Sequence, residues 1–196
     1  SSDSGFEETP VWALAGTFEH HISGCVALAA WNYYRVTQDP KWLAEKGFPI
    51  LEATANFWLS RAEYEADGKA HIKNVVAADE WAENVDDDAF TNGVAKVNLQ
   101  AAAQAARILK QAANPDWETL ASRLSFYQFA DGVTKEHRTY NGENIKQADV
   151  NLLPYPLNLI RDPQQIKKDL EFYSVRVPEK NTPAMTQAIF SLLYAR

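Results

Sequence analysis

Cysteine is almost absent from this sequence, because Cys25 is the only one among 196 residues. A single thiol excludes an internal disulfide framework and a zinc site built from cysteines. It leaves the compartment open, since a secreted bacterial protein can also lack disulfides. No apolar run approaches the roughly 18 residues of a membrane-spanning helix, so we expect no membrane partner.

Basic residues are also fewer than acidic ones. The chain has 19 Lys and Arg residues against 26 Asp and Glu residues, which gives a formal net charge of −7. A nucleic-acid-binding domain needs clustered basic charge to displace counterions, so we expect no nucleic-acid partner. Apolar residues make up 46% of the chain and aromatic residues 12%. Aromatics at this level usually pack a core, and a sugar-binding cleft is the alternative.

Periodicity and turn signals predict a mainly helical chain with one hairpin. Apolar residues at helical spacing predict a helix over about 18–38, with Ile22, Val26 and Tyr33 on its apolar face. A long Ala-rich helix is predicted to start at Asp88 or Thr91 and to reach about residue 111. Pairs typical of helix starts are Asp39-Pro40, Asn114-Pro115, Asp162-Pro163 and Thr182-Pro183. Gly47 is expected to end a short helix, and Asp67-Gly68 is a hairpin turn signal.

Successive short-loop helix pairs favour an all-α toroid or solenoid. An irregular helical bundle fits the periodicity equally well. No repeat of fixed period is present, which disfavours arrays of the TPR or HEAT type. The chain starts without Met and stops directly after an apolar helical pattern, so residues 1–196 are expected to be part of a longer protein.

Residues 79–88 hold six carboxylates. The D-x-D-x-D-G pattern of a calcium loop, with its closing Glu, is absent. A solvated acidic turn is one remaining interpretation, and a catalytic carboxyl group is the other. Trp81 beside Glu80 is expected to raise the pKa of Glu80 by lowering the local dielectric. A raised pKa suits a general acid.

Three further groups of residues are candidates for a site. His20 and His21 point about 100° apart on a helix and have no third ligand at suitable spacing, so we interpret them as packed or sugar-contacting groups rather than metal ligands. Lys146 and Gln147 precede an apolar segment, where they either donate to sugar hydroxyls or face solvent. Glu179 precedes a helix whose positive end favours the ionised carboxylate.

A protonated Glu80 and an ionised Glu179 together are typical of the acid and base of glycoside hydrolysis. An acidic protein offers many such pairs, however. Glu136 and Glu143 are equally open candidates on these grounds alone.

Four stretches carry a resemblance to a known family, namely 9–14, 18–24, 79–92 and 145–150. Together they resemble glycoside hydrolase family 65, which contains maltose, trehalose and kojibiose phosphorylases, acid trehalases and related α-glucoside hydrolases. The resemblance runs with gaps from residue 9 to the end of the chain. It implies an (α/α)6-barrel catalytic domain, of which this chain would be a part, and inversion at the anomeric carbon.

The resemblance also implies roles for individual residues. Glu80 matches the general acid of the family, and Lys146 and Gln147 match a pair that contacts sugar. Where phosphorylases bind phosphate in a His/Ser-rich loop, this sequence has Glu179, which implies a hydrolase whose base activates water. The substrate-binding set is then Lys146, Gln147, Trp81, His20 and His21.

The expected substrate is a kojibiose- or trehalose-like disaccharide, with no metal or cofactor. A phosphorylase of the same family is one alternative, and an inactive carbohydrate-binding or structural piece is another. Because neighbouring helices would be missing, we expect exposed apolar faces through which the chain self-associates. A periplasmic or secreted location is favoured for a bacterial hydrolase of this type, with a cytoplasmic one also open.

Overall fold

The computed structural model describes residues 9–180 and 182–196, which are mainly helical with one two-stranded hairpin. The elements in chain order are α1 (Ala15–Phe18), α2 (His21–Thr37), α3 (Pro40–Trp42), a π-helical turn (Leu43–Gly47), α4 (Phe48–Arg61), β1 (Ala62–Tyr64), β2 (Ala70–Ile72), α5 (Ala89–Ile108), α6 (Pro115–Arg123), a 3-10 turn (Val150–Leu152), α7 (Pro163–Ser174) and α8 (Ala184–Tyr194). No helix in these two ranges has the length and apolar character needed to cross a bilayer.

Most predicted helix starts are confirmed. First-turn N–H groups of α3, α6 and α7 donate to the side chains of Asp39, Asn114 and Asp162, respectively. Thr182 is the exception: α8 begins after Pro183 with no side-chain cap, and the Thr182 hydroxyl donates instead to the Pro178 carbonyl at 3.2 Å. Thr182 therefore closes the turn before α8 rather than capping the helix.

The predicted hairpin is also confirmed. β1 and β2 pair antiparallel, with Ala62 opposite Ile72. Gly68 lies at the turn with a φ of 75°, in the left-handed region that glycine adopts without strain. Residues 127–147 contain no helix or strand, as their mixed composition predicts.

The prediction that Gly47 ends a helix is wrong. α3, the π-helical turn and α4 follow one another without a break. A Cβ atom on residue 47 would lie 2.6 Å from Cζ3 of Trp42. The glycine is therefore needed for close packing of the indole ring, not for chain reversal.

α5 lies at the centre of the core, and α2, α4 and α6 pack on it. Asp88 is its N-cap, as predicted, although the helix ends at Ile108. Its many buried alanines allow neighbouring helices to approach closely. On the α4 side, the buried Trp58 donates from Nε1 to Oδ1 of Asn98 at 2.9 Å. Asn98 in turn donates to the Leu51 carbonyl at 3.3 Å.

α2 differs from its predicted pattern because it is apolar on two faces. The buried face carries Gly24, Ala27 and Trp31, and Gly24 lies directly against Val94 of α5. Of the residues predicted on one apolar face, Ile22, Val26 and Tyr33 have relative exposures of 52%, 50% and 50%, whereas Ala30 and Tyr34 are buried at 8% each. The predicted stripe is therefore correct only in part, because a second apolar face of the helix is exposed.

Candidate active site

The acidic segment 79–88 is a loop, as predicted, but it is not a solvated turn. Asp79, Asp87 and Asp88 are at most 2% exposed. Backbone hydrogen bonds join Val75 and Val85 in both directions, at 2.9 and 3.1 Å. The loop is thus fixed against the chain that follows β2, with several carboxyl groups turned inward.

Glu80 meets the predicted sugar-contacting pair directly. The Lys146 ammonium donates to Oε2 of Glu80. The Glu80 backbone N–H donates to Oε1 of Gln147 at 3.2 Å. Residues more than sixty positions apart in the chain therefore converge on Glu80, Lys146 at its carboxylate and Gln147 at its backbone N–H, and the alternative of a solvent-facing Lys-Gln pair does not describe the structure.

The expected electrostatics of Glu80 is wrong for this structure. The Lys146 ammonium, followed by the Gln147 side chain, holds the pKa of Glu80 below its usual value. Trp81 is itself 51% exposed, and burial has a smaller effect on the pKa of Glu80 than these two contacts. In this state Glu80 is a paired carboxylate, so proton donation requires that its contact with Lys146 change.

Glu19 is a second carboxyl group near Glu80, which motif reasoning did not single out. Burial raises its pKa, and the charge of Glu80 raises it further, whereas Lys146 acts in the opposite direction. Its place within the 18–24 motif, before the two histidines, is the sequence signal that could have identified it.

His20 and His21 both lie in aromatic packing. The His20 ring meets Phe57 at a centroid distance of 5.6 Å, and the His21 ring meets Phe90 at 5.5 Å. His21 is 7% exposed, and burial lowers its pKa to about 4. A neutral, buried His21 supports the packed interpretation, and a sugar contact for either ring stays a prediction.

Glu179 is exposed in the turn between α7 and α8. Its neighbour Asn181 lies outside the described residues. The turn is linked to the site indirectly: Thr182 bonds back to Pro178, and Thr186 in the first turn of α8 donates to the Lys146 carbonyl at 3.1 Å. This end of α8 therefore contacts the Glu80 region, while the role of Glu179 stays a prediction.

The two other candidate carboxyl groups differ in placement. Glu136 is 1% exposed, whereas Glu143 is exposed and accepts the Asn141 N–H at 2.9 Å. Asp88 and Asp149 are buried as well, and each accepts an N–H from the first turn of α5. Burial and the charge of Asp88 raise the pKa of Asp149, and burial raises the pKa of Asp88 to about 6.

Asp88→Asn tests this buried acid. Folded Asp88 keeps its proton up to about pH 6, whereas the unfolded chain loses it near the ordinary pKa of 3.8. The protonated side chain therefore contributes stability that is lost as pH rises through this window. Asn keeps the cap on the Thr91 N–H and cannot ionise. We expect the variant to be more stable than wild type at pH 7, by on the order of 3 kcal/mol, with the difference vanishing below pH ~4.

Urea unfolding at several pH values measures this effect. Asp162→Asn is the matched control, because Asp162 caps α7 in the same way but is exposed. Asp162→Asn should not reproduce the gain in stability at pH 7. Parallel profiles for Asp88→Asn and wild type would contradict a titrating Asp88.

A cavity of about 250 Å³ lies beside the acidic loop. Its walls include Trp81, Val85, His137 and Tyr140. Pockets for small ligands usually enclose about 300–1,000 Å³, so these walls account for a small part of a disaccharide cleft. Within 9–180 and 182–196, no three His, Cys, Asp or Glu side chains are arranged to hold a metal ion.

Comparisons with known proteins agree with this architecture. The chain is 63% identical over its whole length to the kojibiose hydrolase of Mucilaginibacter mallensis and 58% identical to that of Flavobacterium johnsoniae. It spans 29% of the length of each of these relatives. A solved structure described as "Putative kojibiose phosphorylase from human microbiome" superposes with a TM-score of 0.72, over 87% of this chain and 30% of that one, at 17% identity.

A match to a family profile confirms the resemblance that the motifs indicated. The profile described as "Glycosyl hydrolase family 65 central catalytic domain" matches residues 4–140. This range contains the 18–24 motif, the hairpin and the acidic loop with Glu80. The chain belongs to glycosyl hydrolase family 65, as part of its central catalytic domain.

Proposed function

We propose that the protein containing this chain hydrolyses kojibiose or a similar α-glucosidic disaccharide with inversion, and that Glu80 is its general acid. The observation that carries the proposal is the convergence of Lys146 and Gln147 on Glu80. These contacts place the proposed acid beside the two side chains that we propose to bind sugar. The kojibiose hydrolases that match the whole chain support the substrate class.

The chemistry requires one proton to be donated and one to be removed. Glu80 donates its proton to the glycosidic oxygen as the bond to the anomeric carbon breaks. A water molecule attacks that carbon from the opposite face and loses a proton to Glu179. In an inverting site the two carboxyl groups lie about 6.5–9.5 Å apart, which leaves room for the water.

Substrate binding explains how a carboxylate paired with lysine becomes an acid. A sugar that enters the cleft offers hydroxyl groups to Lys146 and excludes water from Glu80. Loss of the lysine contact and desolvation both raise a carboxyl pKa. Glu80 is then protonated in the substrate complex, although it is ionised in the free protein.

Phosphate dependence distinguishes hydrolysis from phosphorolysis. A carboxylate at position 179 would repel phosphate and favours water as the nucleophile. We expect the full-length protein to release glucose from kojibiose at the same rate with and without phosphate. Formation of glucose 1-phosphate would establish the phosphorylase alternative. Sugar binding without turnover would establish a carbohydrate-binding role.

Glu179→Gln tests the base. We expect kcat to fall by about 10²–10⁴, the usual contribution of a general base, with partial recovery in azide, which attacks without losing a proton. Glu171→Gln is the control, since Glu171 is an exposed carboxylate on the preceding helix α7. An unchanged kcat for Glu179→Gln would place the base outside this chain.

We further infer that the helices form part of an (α/α)6 barrel. The exposed apolar face of α2 supports this proposal, because such a face normally packs on another helix. The chain also spans less than a third of its kojibiose hydrolase relatives. On its own, the 196-residue chain is then expected to self-associate through that face.

A further inference from the structure

Asp79 links the two halves of the candidate site through a single oxygen atom. Its Oδ1 accepts the backbone N–H of Lys146 at 2.9 Å, that of Gln147 at 3.2 Å and that of Trp81 at 3.3 Å. Asp79 is 2% exposed, so water does not compete for these contacts. The backbone beside Glu80 and the backbone of the sugar-contacting pair therefore depend on one buried acceptor.

Glu136 is a second buried carboxyl group next to Asp79. It is 1% exposed, its carboxyl group interacts with that of Asp79, both residues line the cavity beside the acidic loop, and its backbone carbonyl accepts the Ala89 N–H at 2.7 Å. This backbone hydrogen bond places Glu136 beside the start of α5. Glu136 thus connects the site to the most deeply buried helix of the core.

The groups that face Glu136 are acidic or neutral. Its pKa is raised well above the usual value, first by burial and then by the charges of Asp79 and Asp88, with a smaller contribution from Glu143. Tyr140 and Tyr173 also lie within electrostatic reach, and both are neutral phenols. Two touching carboxyl groups in such surroundings cannot both be ionised.

One proton shared between Asp79 and Glu136 resolves this conflict. Three N–H groups already donate to Asp79, and they favour its ionised form. The proton therefore belongs on Glu136, which becomes the donor. A neutral donor satisfies the second oxygen of Asp79 without adding charge.

We propose that Glu136 is a positioning residue: as a neutral acid it donates to Asp79 and thereby holds the loop of Glu80 in register with Lys146 and Gln147. This inference rests on the proposed role of Glu80. It assigns a function to Glu136 that the sequence motifs did not indicate.

The experiment compares Glu136→Gln with Glu136→Leu in the full-length protein. The Gln amide donates to Asp79 as the neutral acid does, and we expect kcat within about threefold of wild type because the hydrogen bond is kept. Leu has similar bulk but no donor. We expect it to lower kcat about a hundredfold, the usual cost of misplacing catalytic groups by about 1 Å, with a smaller change in KM.

Amide hydrogen exchange gives a readout that does not depend on hydrolysis. The three N–H groups that donate to Asp79 lie in the segments 79–82 and 145–148. We expect these segments to lose protection in Glu136→Leu and to keep it in Glu136→Gln.

Asp169→Leu is the control for general destabilisation. Asp169 is also a buried carboxyl group, but it accepts the Thr134 N–H at 2.8 Å and a Gln165 side-chain N–H at 2.9 Å rather than the N–H groups that donate to Asp79. We expect this variant to lose stability and to keep protection in both segments. If Glu136→Leu behaves like Asp169→Leu, or if Glu136→Gln loses protection as Glu136→Leu does, the proposal is overturned. If the full-length protein hydrolyses no disaccharide, the proposed function fails while the exchange experiment still decides the role of Glu136.

Discussion

Glu80→Gln is expected to reduce kcat for kojibiose in the full-length protein by about 10²–10⁴, the usual contribution of general acid catalysis. The amide keeps the size of the side chain and can still contact Gln147 and Lys146. It cannot donate a proton to the leaving oxygen. KM should change less than kcat, because the groups that hold the sugar stay in place.

The leaving group makes this experiment specific. Fluoride leaves α-glucosyl fluoride without needing a proton. Glu80→Gln should therefore cleave this substrate at a rate close to that of wild type. Glu63→Gln is the control, since Glu63 is an exposed carboxylate on β1 that pairs with Lys73. If Glu80→Gln slows both substrates equally, Glu80 acts in binding or folding and not as the acid.

Features set by neighbouring residues were predictable from the sequence. A carboxylate or amide before proline satisfies the free N–H groups of a first helical turn wherever it occurs, and Asp39, Asn114 and Asp162 all do so. The Asp67-Gly68 turn likewise needs only a residue that tolerates positive φ. Local chemistry decides these positions, and tertiary packing leaves them unchanged.

Features set by distant contacts were not predictable in the same way. The two apolar faces of α2 are indistinguishable by periodicity, and contact between Gly24 and Val94 determines which one is buried. Gly47 has the composition of a helix end, but it serves the packing of Trp42. In both places the glycine marks a close approach that no short window of sequence reveals.

In the candidate site, too, local features were predictable from the sequence and features set by distant contacts were not. The motifs identified Glu80, Lys146 and Gln147, and the structure brings them together. The charge state of Glu80 was predicted in the wrong direction, because a neighbour in sequence, Trp81, was taken as its environment. The environment that matters is Lys146, which only the folded chain places there. Glu136 was among the open candidates, but its burial was not predicted for a related reason, since burial of a carboxyl group has no local signature.

Trp58→Ala is expected to lower the free energy of unfolding by about 3–5 kcal/mol, as removal of a large buried side chain does. Trp58 is fully buried where α4 packs on α5, and its Nε1 donates to Asn98 at 2.9 Å. Alanine leaves a cavity and removes one partner of the Asn98 amide. Urea unfolding of the 196-residue chain, followed by the helical circular dichroism signal, measures the loss.

Two variants separate the causes of this effect. Trp58→Phe fills most of the cavity but leaves the Asn98 oxygen without its donor, and we expect a loss of about 1–3 kcal/mol. Trp12→Ala is the matched control, because Trp12 is 82% exposed and its removal should change stability by less than about 0.5 kcal/mol. Equal losses for Trp58→Ala and Trp12→Ala would show that α4 does not pack on α5 as described. Asp88 is both the last residue of the acidic loop and the N-cap of α5. Packing of α4 on α5 therefore also fixes the end of the loop that carries Glu80.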